Sequence, residues 1–133
     1  VIYFYRMKEF KISGMPYTPT ILFFMGENEE TRAYIKKKYK YTIFDGDPDF
    51  KYIEGGCIQF LRQNKYYTPC IWISSYSSPI IAHETLHLTF KILNRAGIYH
   101  TPNSEEAFTY YQQYLFDQII DRYNKLFPED WIE

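Results

Sequence analysis

The sequence predicts an α+β domain: a small N-terminal sheet, antiparallel or mixed, then a buried helix, then a second long helix. Short aromatic and β-branched runs crowd the first 76 residues, and turn signals separate them. After Ser78 the apolar residues spread at helical spacing, interrupted once at Gly97. With 133 residues, 46% hydrophobic and 23% charged, the chain has room for a single core. One domain is expected over 1–133, sheet-rich to about 76 and helical from about 78 to 127.

Taken in order, "VIYFY" and "TILFFM" read as strands, and "ENEE" followed by "IKKKYK" reads as a surface helix from about 28 to 38. Acidic residues at its start and lysines at its end oppose the helix dipole, so the basic run is explained by a solvated helix rather than by a nucleic-acid surface. "YTIF" reads as a further strand ending in the turn "DGDPD", which lacks the glycine and terminal glutamate spacing of a calcium loop. "CIQFL" (57–61) and "PCIWIS" (69–74), separated by the polar "RQNKYYT", read as a hairpin. Ser78 and Pro79 then suit an N-cap and a first helical residue, and Gly97 suits the C-terminal stop. This helix carries apolar residues on nearly every side and is expected to be buried throughout. After "GIYHTPNS" a second helix is expected from near Asn103 to about Lys125, stopped by Pro128.

The net charge of −1 gives no electrostatic footprint for nucleic acid or an anionic membrane, and no apolar run is long enough to span a bilayer. A soluble protein is expected. Cys57 and Cys70 lack metal or redox spacing and read as free thiols of a reducing compartment. The many tyrosines and phenylalanines read as core and strand formers rather than a stacking platform. The chain opens on Val1, which leaves an initiator or a longer leader upstream as an expectation.

The chemistry concentrates in "HETLH". On a helix, His83 and His87 stand one above the other and direct two imidazoles at one point, which suits a zinc ion. Glu84, one residue round, is placed to serve as a general base toward a water at that point. A purely structural pair of histidines would have no use for that carboxylate. Catalytic zinc takes three protein ligands, and a histidine six residues past the second is excluded because Leu93 stands there. Candidates for the third are His100, Glu105 and Glu106. Asn103 three residues before Glu106 also fits a capping box, in which that glutamate only satisfies backbone donors.

The pairing of "HETLH" with "SEEAFTYY" resembles the glutamate-ligand zincins, and most of all the small metallopeptidases encoded by bacteriophages. The resemblance covers about residues 56 to 120. It implies a minimal zincin-like domain, one zinc per chain held by His83, His87 and Glu106, a peptide or protein substrate, Glu84 as catalytic base, and a place in the host-cell cytoplasm or with the virion. Glu106 is preferred over Glu105 because in that family a residue like Tyr110 stands four positions after the ligand. Larger relatives carry an aspartate there to orient a histidine, so Tyr110 or Asn94 is expected in that role, and His100, Tyr99 or Tyr111 as an oxyanion donor. The strand at 70–74 resembles the sheet edge on which zincins lay an extended peptide. The competing expectation is a phage or virion-associated structural or binding protein with a non-catalytic zinc site.

Overall fold

The computed structural model describes residues 2–3, 7–40, 55–63, 66–76 and 78–126, with side chains at 7–40, 68–74 and 78–125. The elements are β1 (Ile2–Tyr3), β2 (Lys8–Gly14), β3 (Thr18–Met25), α1 (Asn28–Tyr39), β4 (Gly55–Gln63), β5 (Tyr66–Ile73), β6 (Ser75–Tyr76), α2 (Ser78–Arg95) and α3 (Glu105–Leu126). The fold is α+β, as expected, and the sheet is mixed. Its four strands run in the order β2-β3-β5-β4; β3 and β5 are parallel and the two outer pairings antiparallel. β1 and β6 form a separate antiparallel pair. The expected strand at 41–44, the turn at 45–49 and the stop at Pro128 lie outside the described residues.

Both faces of the sheet are covered, which is why β3 reads as an unbroken apolar run rather than an alternating one. Leu22, Phe24, Cys70 and Trp72 pack with Ile35, Tyr34 and Tyr39 of α1. Ile21, Phe23, Met25, Ile71 and Ile73 point the other way and pack with Ile81, Leu88, Ile92 and Leu93 of α2 and Phe108, Leu115, Ile119 and Tyr123 of α3. Cys57 stands opposite Ile71, and Cys70 opposite Ile58, so the two cysteines occupy out-of-phase positions on neighbouring strands. Cys70 is a free, buried thiol.

α1 behaves as its charges predict. Glu27 caps it by accepting from the backbone N–H groups of Glu29 (2.8 Å) and Glu30 (3.0 Å), and Lys36, Lys37 and Lys38 occupy its exposed last turn. It is tied to β2 by Glu9, whose carboxylate accepts from the hydroxyls of Tyr34 and Tyr39 and from Lys38 Nζ at 2.7 Å. Burial alone would push the Glu9 carboxyl up, but Lys38, Tyr34 and Tyr39 outweigh it and hold it below its ordinary 4.5.

β2 is a strand that the sequence reading does not name. It lies at an edge of the sheet, and α3 blunts that edge. The Gln118 side chain accepts from Ser13 N–H and donates to Ser13 C=O, each at 2.8 Å, as a neighbouring strand would. The Tyr111 hydroxyl donates to Gly14 C=O at 2.7 Å. Among the described residues, no helix is long and apolar enough to cross a membrane.

Candidate metal centre

α2 starts where Ser78 and Pro79 place it and ends as Gly97 requires. Gly97 adopts φ 83°, Ile98 N–H reaches back to Leu93 C=O at 2.9 Å, and Gly97 N–H to Asn94 C=O at 3.0 Å. This left-handed close leaves the last carbonyls of the helix paired and turns the chain toward α3.

The expectation of a helix buried on all sides is corrected here. Ile81, Glu84, Thr85, Leu88, Thr89, Ile92 and Leu93 are buried, whereas His83, Leu86, His87 and Asn94 are exposed. The sheet covers one side of α2 and α3 packs beside it, which leaves a stripe facing solvent. Leu86, expected in the core, is 42% exposed beside the histidines. The buried threonines cost little, because Thr85 Oγ1 donates to Ile81 C=O and Thr89 Oγ1 donates to Thr85 C=O, satisfying both hydroxyls within the helix.

His83 and His87 meet as the spacing requires. Their Nε2 atoms are 3.1 Å apart, and the rings are inclined at 73°. Two lone pairs aimed at one point repel unless a proton or a cation lies between them. Nitrogens at this separation, each about 2.0–2.1 Å from one ion, subtend about 100° there, near the tetrahedral angle. The pair therefore fits zinc. Glu84 Oε1 is 3.8 Å from His83 Nε2, close enough to address a water beside the ion. The Glu84 residue is only 8% exposed. Burial pushes its carboxyl upward, while His83, His87 and Lys91 pull it down without cancelling the rise.

The other expected residues fall into two groups. Glu105 and Glu106 occupy the first turn of α3, and both are exposed. The buried stripe of α3 runs through Phe108, Tyr111, Leu115, Ile119 and Tyr123, so Glu106 and Tyr110 fall on the side facing away from the core. The helix begins at Glu105 rather than near Asn103. Ser104 C=O accepts the first turn's bond from Phe108 N–H at 3.3 Å, which makes Ser104 the flanking residue and Ala107 the third helical one. The capping-box position thus belongs to Ala107, and Glu106 has no part in it. Among the described residues, no third His, Cys, Asp or Glu stands where it could share a metal ion with His83 and His87.

His100 is exposed, and its ring packs edge-on against Phe108, with centroids 5.2 Å apart. Phe90 completes a ring trio at 6.0 Å from His100 and 4.9 Å from Phe108. This trio, which sequence spacing does not reveal, joins α2, the loop and α3 one turn beyond His87. Tyr99 and Asn94 are exposed. Tyr111 is buried, with its hydroxyl committed to Gly14, so it is a structural residue rather than an oxyanion donor. The strand at 70–74 is also not an edge: β5 pairs with β3 on one side and β4 on the other, and among the described strands the outermost are β2 and β4.

No family model, curated protein or solved structure matches this chain.

Proposed function

We propose that the protein is a zinc-dependent metallopeptidase, an amide hydrolase whose metal is held by His83 and His87; the third ligand, which the described geometry does not bring to the pair, is assigned to Glu106 on the sequence motif alone. The observation that carries this reading is the convergence of the two Nε2 atoms, 3.1 Å apart on an exposed helix side, with a buried carboxylate 3.8 Å from one of them. A structural metal staple would need the two imidazoles but not the carboxylate.

Zinc, when bound there, supplies Lewis acidity, lowering the pKa of a water toward ~7 and polarising a carbonyl oxygen. The chain's own residues supply the rest. His83 and His87 would hold the ion through their converging Nε2 atoms. Glu84 accepts the proton of the attacking water and hands it to the departing amine, and its partial burial keeps that proton from exchanging freely with solvent. Among the described strands, β4 ends the sheet beside β5, and the end of a sheet is where an extended peptide would add.

Glu84→Gln is the deciding variant, because it keeps shape and hydrogen bonding while removing the base. It should retain zinc and fold but lose roughly 10²- to 10⁴-fold in turnover on a diverse peptide library read by mass spectrometry. Equal cleavage by both proteins would remove Glu84 from the mechanism. Zinc binding without cleavage by the wild type would favour a non-catalytic zinc site.

A further inference from the structure

His83, Leu86 and His87 form one solvent-facing patch on α2. The His83 side chain is 67% exposed, Leu86 is 42% exposed, and the two imidazole nitrogens converge at 3.1 Å. We propose that a second copy of this chain docks on this patch around a shared zinc ion, with His83 and His87 of each copy supplying all four nitrogens. The inference rests on the reading of His83 and His87 as zinc ligands and adds a regulated form of the same centre.

Coordination geometry motivates it. One imidazole pair fills two of the four tetrahedral positions at about 100° and leaves the remaining two on the solvent side. An identical pair, related by a two-fold axis through the ion, fills those two, so the interface is self-complementary by construction. Both histidines are exposed, and a partner reaches them without any part of the fold opening. Charge agrees with the arrangement. Each copy brings one Glu84 carboxylate, 3.8 Å from its own His83, and two such carboxylates balance the two positive charges of the ion. The formal net charge of −1 per chain gives two copies little reason to repel. Leu86 lies within a turn of both histidines, so an isologous contact covers it together with its symmetry mate.

The consequence is a switch set by the ratio of metal to protein. Four nitrogens close the coordination sphere, and the dimer has no position for water or substrate. A chain that holds its own ion, with an acidic third ligand, keeps one position open. Scarce zinc is therefore shared in the closed dimer, and abundant zinc separates the copies.

The test is a zinc titration of the metal-free protein, with mass followed by sedimentation velocity and metal uptake by calorimetry. The dimer fraction should peak near half a zinc per chain and fall once the ratio passes one. Leu86→Ser, at an exposed position and adding no charged ligand beside the histidines, should weaken dimerisation at least ~10-fold while leaving zinc uptake in excess metal unchanged. His83→Ala should abolish the dimer. A monomer at every ratio, with one zinc bound per chain, overturns the dimer and leaves the metal centre standing. Absence of zinc uptake overturns both, and dimerisation that survives His83→Ala or a chelator overturns the shared ion.

Discussion

Along one side of α2, Ile81, Leu88 and Leu93 are fully buried against the sheet and α3, whereas along the other His83, Leu86 and His87 stand in solvent. The two sides share one backbone and one hydrogen-bond ladder, so the difference lies in what each touches. The buried side contributes apolar area removed from water and holds the helix axis in place. The exposed side contributes almost nothing to stability and is free to carry groups chosen for their chemistry. Glu84 sits at the border, buried enough to have its proton affinity raised yet still facing His83. The rigid side thus fixes the position of the reactive side without taking part in its chemistry.

Substituting one residue from each side gives the largest contrast. Leu88→Ala, which opens a cavity in the main core, should cost about 2–5 kcal/mol in urea unfolding. His87→Ala should stay within about 0.5 kcal/mol of the wild type in metal-free buffer yet lose zinc binding, since it removes an exposed side chain. Similar stability losses in the two would show that the sides are not separable.

A smaller effect tests how far the exposed side extends onto α3. Glu106→Gln should weaken zinc binding at least ~10-fold, measured by competition with a chelator, and Glu105→Gln should leave it within about 2-fold. The reverse result would make Glu105 the ligand. Equal affinity in both would leave the histidine pair without a partner from that turn.

The smallest effect is remote from both sides and serves as a control. Glu9, held below its ordinary 4.5 by Lys38, Tyr34 and Tyr39, contributes stability that is fully present above the usual carboxylate range. That contribution is lost as pH falls through its lowered value. Lys38 is half exposed, so the contribution should be about 0.2–1 kcal/mol. Stability of Glu9→Gln should fall less steeply than that of the wild type between neutral pH and acid. An unchanged slope would assign the acid sensitivity to other carboxylates.

Much of this was legible along the chain. The charges of α1 predicted its length and polarity to within a residue or two, because dipole and capping interactions are local. The same holds for α2, where Ser78, Pro79 and Gly97 act on their own turns, and for the meeting of His83 with His87, which needs only helical spacing. β2 was not legible: "KEFKISG" mixes charges into an edge strand, and its pairing with β3 and its cover by Gln118, more than a hundred residues away, come from the assembled fold. Nor was the role of Tyr111 legible, since its hydroxyl is claimed by the backbone of a distant turn.

The sequence by itself determined the α+β class, the bounds of α1 and α2 and the pairing of two imidazoles with a carboxylate, all consequences of interactions spanning a turn or two. Only the tertiary structure decided that one side of α2 is bare, that β5 lies inside the sheet between β3 and β4, and that Glu106 faces away from the core stripe of α3. Those outcomes depend on which elements pack together and at what rotation, and residues distant in the chain set both through the area they bury.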